Sequence, residues 1–245
     1  MAARDEELLG WRRLQEGRLD EAEGHFRRSL EMDPARVDAL NGLGSVYLSW
    51  NELDEAAELF QMAIQMAEPE LPRRRRRAGW QDPGLRPYLR ALYSLAMTRI
   101  RRGAVEAAVG PLEDLIGWDA GGLDGEAFLL LGQCRQRLGQ IEEAHSFYEK
   151  ARVKHVHAWY LHGLTAYLLG HLDEAARSLR TAGTLLPEVA PLVAFHPQVR
   201  GLMVESADET HRHAVRFVES TAGLWTADSR KFLREVLASD RALAR

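Results

Sequence analysis

One tripeptide recurs four times in almost the same form: Asp20-Glu21-Ala22, Asp54-Glu55-Ala56, Glu142-Glu143-Ala144 and Asp173-Glu174-Ala175. Gly17, Asn51, Gly139 and Gly170 stand five places before these alanines. Phe26, Phe60, Tyr148 and Leu179 stand four places after them. Self-similarity with a period of about 34 residues constrains the fold more than any other feature here. Each copy is one supersecondary unit too small to bury its own apolar face, so the copies must stack. Helical spacing within each copy makes the unit a helix hairpin, and the chain is expected to be all-α.

Five copies can be laid in register on the alanine. The first, residues 3–36, carries Leu9-Gly10, Ala22, Phe26 and Pro34; the second, 37–70, carries Leu40, Leu43-Gly44, Tyr47, Ala56, Phe60 and Ala63. A weaker third, 89–122, carries Leu92, Leu95-Ala96, Gly103, Ala108, Leu112 and Leu115. The fourth, 125–155, has Phe128, Leu131-Gly132, Ala144, Tyr148 and Ala151; the fifth, 156–187, has Trp159, Gly163, Ala175, Ala182 and Pro187. A small residue in the first helix and an alanine in the second allow two backbones to approach, and the larger residues fill the space beside the crossing. The Gly or Asn before each acidic pair suits a left-handed helix end. Asp20, Asp54 and Asp173 are expected to cap the following helix or to favour its positive end.

These motifs resemble the tetratricopeptide repeat, with its Leu-Gly, Tyr, Ala, Phe, Ala and Pro positions, over about residues 3–187. The resemblance implies a right-handed superhelical solenoid of about five antiparallel helix pairs. It departs from the family pattern at Arg13, Arg99 and Arg135, where Tyr is usual, and at His162, where Leu is usual.

The net charge of -4 conceals an uneven distribution: residues 1–70 hold 7 basic and 16 acidic groups, residues 71–122 hold 10 and 5. The single cysteine, Cys134, permits no intrachain disulfide and fits a reducing compartment. Residues 1–7 lack an apolar signal core, and no stretch reaches the roughly 20 apolar residues that span a bilayer. With 29 arginines against three lysines, the composition suggests a GC-rich, bacterial coding sequence. The expectation is a cytoplasmic protein with no membrane partner.

Residues 71–88 interrupt the repeats with three prolines, two glycines and a run of five arginines, Arg73, Arg74, Arg75, Arg76 and Arg77. Such a run can contact phosphate, RNA or an acidic protein, but a charge run carries no base readout, and a solvated loop is the simpler reading. Beyond Pro187, residues 188–245 include two amphipathic segments, about Asp208–Ala222 and Asp228–Ala244. They are read as helices capping the last hairpin, with insertion into the groove as the alternative.

By the resemblance, the first helix of each pair lines a concave face. The residues placed there include Trp11, Leu14, Asn41, Leu48, Arg90, Tyr93, Met97, Arg101, Leu129, Gln133, Arg137, Tyr160, Leu164 and Tyr167. Aromatic anchors beside arginines and amides are the composition of a binding hot spot. Some family members clamp chaperone C-termini with Lys and Asn; Glu7 and Trp11 stand at those positions, so no such clamp is expected.

Catalytic constellations are absent from the sequence. His155, His157 and His162 lie close together, as do His211 and His213, yet no Cys or carboxylate set completes a zinc-like spacing, and the reading is no metal and no cofactor. His155 and His162 would share a helix face that excludes His157. Cys134 is read as a packed thiol, and Gly121-Gly122 lacks the Lys-Ser/Thr of a phosphate loop. The acidic pairs recur because helices begin there. The sequence thus points to a non-enzymatic scaffold or adaptor that binds a partner's peptide or helix. The alternatives are an RNA- or acidic-partner module using the arginine run with Arg86, Arg90, Arg101 and Arg102, and a self-assembling structural protein.

Overall fold

A computed structural model describes residues 2–68, 79–119, 125–196 and 208–243, with side chains through 239. Among these residues there are thirteen α-helices, two short 3-10 turns and no strand. Ten helices form antiparallel pairs: α1 (Ala3–Gln15) with α2 (Leu19–Met32), α3 (Val37–Trp50) with α4 (Leu53–Ala67), and α5 (Arg86–Arg101) with α6 (Val105–Trp118). The series continues with α7 (Glu126–Arg137) and α8 (Ile141–Ala151), then α9 (Ala158–Leu168) and α10 (Leu172–Leu185). Three more follow: α11 (Val189–Phe195), α12 (Glu209–Thr221) and α13 (Ala227–Leu243). The chain divides into two compact units, Met1–Leu123 and Asp124–Arg245.

All five pairs turn in the same way. Gly17, Asn51, Gly103, Gly139 and Gly170 hold φ between 66° and 83°, and each is followed by a residue whose N–H reaches back over the last turn. Arg18 N donates to Arg13 O, Glu52 N to Tyr47 O and Ala104 N to Arg99 O, each at 2.9 Å; Gln140 and His171 repeat the bond at 2.9 Å. This is the left-handed helix end that glycine, and less readily asparagine, adopts.

The crossings are built from the register positions. Ala22, Ala56, Ala108, Ala144 and Ala175 have no exposed surface, and Phe26, Phe60, Leu112, Tyr148 and Leu179 are buried four residues later. A methyl group on Gly10 would lie 2.7 Å from the Phe26 ring, one on Gly44 2.7 Å from Phe60, and one on Gly163 2.7 Å from Leu179. The small residue in the first helix is therefore what lets the second helix seat its large one. Burying each large side chain contributes roughly 2–3 kcal/mol.

Arginine replaces the usual tyrosine without loss of contact. Arg13 Nε lies 3.3 Å from Glu21, Arg135 Nε 3.3 Å from Glu143, and Arg99 Nη1 donates to Ala107 O at 2.8 Å. Each partner stands eight residues on, in the first turn of the paired helix. A guanidinium spans there what a phenol would otherwise fill.

Two local expectations are corrected. Asp20, Asp54 and Asp173 do not cap: α2, α4 and α10 begin one residue earlier, the preceding residues make no side-chain cap bond, and the aspartates sit in the first turn. Their contribution is charge against the helix dipole. The third pair also begins earlier than residue 89, at Arg86, because Pro87 occupies a first-turn position where its missing N–H costs nothing. In the second unit α13 packs on α10 and α11. Arg230 Nη1 donates to Val193 O at 2.6 Å and Arg234 Nη1 to Ala194 O at 2.7 Å, satisfying carbonyls at the C-terminal end of α11.

Candidate functional site

In the first unit α1, α3 and α5 lie side by side and present the first-helix strip. Trp11 is half-buried, edge-on to Phe26 with centroids 5.4 Å apart. Arg90 places its guanidinium 5.0 Å from the centre of the Trp11 ring and its Nη1 2.6 Å from Asp38 Oδ1. Burial pushes the Asp38 carboxyl above its ordinary range, and Arg90 opposes that shift. Tyr93 and Met97 are half-buried on α5; Leu14 and Leu48 pack partly into the cores of their own hairpins. Arg101 is exposed and donates to Asn51 Oδ1 at 3.1 Å. Asn41 is a correction: it is fully buried, and its Nδ2 donates to Pro87 O at 2.8 Å, tying α3 to the start of α5. Glu7, at a position where a chaperone clamp wants a cation, is buried and paired with Arg36 at 2.7 Å.

In the second unit the corresponding strip is occupied by the chain itself. Phe217 of α12 lies 4.7 Å from the ring of His157 and 6.2 Å from Tyr160, and Arg137 Nη2 donates to Ser220 O at 2.8 Å. Tyr167 stacks against Phe232 of α13 at 4.8 Å. Leu129, Tyr160 and Leu164 share one core cluster with Ala214, Val215, Phe217 and Val218. Tyr160 and Gln133 are therefore buried, not exposed; the Tyr160 hydroxyl donates to Leu186 O at 2.9 Å. Sequence reading gave these residues as an exposed strip and preferred a capping role for the tail helices; the contacts of α12 and α13 with the strip correspond to the alternative, insertion of the tail. The signal was present in α12, whose Ala214, Val218 and Thr221 repeat at helical spacing on a side that α11 alone cannot bury.

Arg73, Arg74, Arg75, Arg76 and Arg77 lie outside the described residues. The arginines named with them are engaged inside the first unit: Arg86 Nε donates to Trp80 O at 2.9 Å, and Arg102 pairs with Asp54 at 2.8 Å. Thus part of the basic middle neutralises the acidic first repeats.

The histidines sort differently from the sequence expectation. His155 and His157 precede α9, so the helical face assumed for His155 and His162 does not exist; the two stand with rings 5.4 Å apart. Burial, then His155, lowers His157 to about 4. His162 instead faces His145, with ring centroids 4.2 Å apart and Glu174 nearby. His145 was not singled out, although it directly follows the anchor Ala144 as His162 directly precedes Gly163. Residues flanking consecutive anchors meet across the crossing. Cys134 is buried, and desolvation pushes its thiol up to about 11, the state of a packed rather than reactive cysteine. Among the described residues no helix is long and apolar enough to cross a membrane.

Residues 8–70 match the tetratricopeptide repeat family, and residues 123–182 match the family described as anaphase-promoting complex, cyclosome, subunit 3. No curated protein sequence matches the chain. Among solved structures, it is similar to YrrB, described as a TPR protein with an unusual peptide-binding site, at 20% identity and a TM-score of 0.58. That match covers 73% of this chain and 83% of that one. MamA from Desulfovibrio magneticus matches at 16% identity and a TM-score of 0.60, covering 75% and 94%. A Podosopora anserina kinesin light chain with TPR-like repeats matches at 18% and 0.57, covering 74% and 93%. At these identities the likeness is one of fold.

Proposed function

Because this chain is a tetratricopeptide-repeat protein, we propose that it binds a peptide or helix of a partner protein on the first-helix strip of its N-terminal unit. Stacked hairpins of this kind are interaction scaffolds, and their ligands are set by the side chains on the strip. The observation that carries the reading is α12: in the second unit an amphipathic helix lies on the equivalent strip, with Phe217 against His157 and Tyr160. That contact supports a helix as the kind of ligand such a strip would take. In the first unit Trp11, Arg90, Tyr93, Met97 and Arg101 provide a partly exposed strip of aromatic, sulfur and guanidinium groups. That composition suits a helix or extended segment with apolar anchors and acidic flanks. YrrB, similar in fold, has a peptide-binding site of its own. A cytoplasmic setting belongs to the same proposal and is supported by the single buried thiol.

An RNA- or acidic-partner role for Arg73–Arg77 is the second reading. It is weakened by the engagement of Arg86, Arg90, Arg101 and Arg102 within the fold. Affinity capture from native lysate separates the two. The strip reading expects a protein partner that is lost with Trp11→Ala/Tyr93→Ala and retained when Arg73–Arg77 are changed to Ser. Loss only in the arginine variant, with steep salt dependence, overturns it.

A further inference from the structure

Three helices of the second unit bring two imidazoles and a carboxylate to one point. His145 stands on α8, His162 on α9 and Glu174 in the first turn of α10. The Nε2 atoms of both histidines lie 3.7 Å from the same oxygen, Glu174 Oε1, and one ligand atom from each residue falls within 4.8 Å of the others.

The far nitrogens are already held. His145 Nδ1 lies 2.9 Å from Thr165 Oγ1, while that hydroxyl directs its own proton at the carbonyls of Leu161 (3.0 Å) and His162 (3.1 Å). The oxygen must then accept, so His145 carries its proton on Nδ1 and turns the Nε2 lone pair toward Glu174. His162 Nδ1 lies 3.0 Å from Ser178 Oγ. His162 is 1% exposed, and its Nε2 has no hydrogen-bond partner even though Glu149 Oε2 comes within 2.8 Å. A buried imidazole nitrogen without a hydrogen bond, a second lone pair and two carboxylates thus point into one niche. That arrangement is unfavourable when empty of positive charge and favourable around a cation.

We infer that His145, His162 and Glu174 form a binding site for a divalent transition metal of the zinc class, with Glu149 or a water as fourth donor. Bonds of 2.0–2.1 Å in a tetrahedron put neighbouring ligand atoms about 3.4 Å apart, so the two 3.7 Å edges need close by only a few tenths of an ångström, and the edge between the imidazoles, within 4.8 Å, closes by side-chain rotation of the partly exposed His145. Two imidazoles with a carboxylate select zinc, cobalt or nickel over magnesium and calcium, which take oxygen. Thr165 and Ser178 are the outer hydrogen bonds that orient such ligands. Glu149 is steadied by Arg152, with both oxygens 2.6 Å from guanidinium nitrogens. A bound ion would fasten the fourth hairpin to the fifth.

The test uses the full chain without a histidine tag, stripped with chelator and titrated with zinc by calorimetry and with cobalt by absorption. The expected result is uptake of one ion per chain, the intense visible bands of four-coordinate cobalt, and a rise in melting temperature. His145→Ala and Glu174→Gln should each weaken binding at least about tenfold, while the exposed-site variant His213→Ala binds as wild type does. Should His145→Ala fail to fold, the near-isosteric Glu174→Gln decides alone. Absence of one-to-one uptake overturns the inference. So does binding that survives Glu174→Gln and disappears with His213→Ala.

Discussion

Arg90 on α5 stacks 5.0 Å from the centre of the Trp11 ring on α1 while gripping Asp38 of α3 at 2.6 Å. One side chain thus ties together the first helices of three hairpins, residues 52 and 79 positions apart from it in sequence. Arg90→Ala leaves a partly buried carboxylate without its cation and bares the indole face. A loss of about 1–2 kcal/mol is expected in urea unfolding, with a red shift of tryptophan emission. Arg90→Lys should recover only part of it, since ammonium supplies the charge without the planar stack.

The tight crossings give a second prediction. Gly44→Ala drives a methyl to 2.7 Å from the buried Phe60 ring, and the expected cost is about 1–3 kcal/mol. Gly24→Ala, where the new methyl meets only the flexible end of Arg28 at 3.4 Å in mid-helix, should leave stability unchanged or raise it by up to about 1 kcal/mol. Thermal unfolding of the two variants side by side checks the contrast.

Arg230 gives a third. It is buried, its charge disfavoured by burial and by Arg234, and it donates to the carbonyls of Val193 and Ala222. Arg230→Met removes both bonds and strands the carbonyls, which costs about 2–3 kcal/mol. Hydrogen exchange should rise in α11 and α13 first, and exchange of the first unit should remain as in wild type.

Acid should loosen the second unit through His157. Its folded-state value is lowered to about 4, by burial first and then by His155 and His213, with Glu126 opposing. In the unfolded chain it titrates near 6.5. The unfolded state therefore binds more protons between these values, so this group's contribution is intact above about 6.5 and is lost as pH falls toward 4. His157→Gln should flatten that part of the stability–pH curve. An unchanged slope between pH 6.5 and 4 would assign the acid sensitivity elsewhere.

Much of the fold was legible because repeats report packing directly. Ala22, Ala56, Ala144 and Ala175 mark crossings, and Gly17, Asn51, Gly139 and Gly170 mark left-handed turns, from spacing alone. The site was legible only in part. Helical phase put Tyr160 and Tyr167 on the first-helix face, but the tail that covers them arrives from more than forty residues away, and no period links the two. Asn41 was misplaced for a similar reason: its partner is the carbonyl of Pro87, beyond the interruption. His145 escaped notice because its neighbours His162 and Glu174 come from the next repeat. Contacts within a repeat follow from its pattern; contacts between repeats depend on residues the pattern leaves free.

The most direct test of the binding strip is site-specific photo-crosslinking in cells. A benzophenone side chain replaces Tyr93 on α5 in one variant and Glu58, exposed on the second helix α4, in another. A covalent partner adduct from position 93 and none from position 58 is the predicted result. Adducts from position 58 with none from position 93 would contradict the assignment of the first-helix strip as the binding surface.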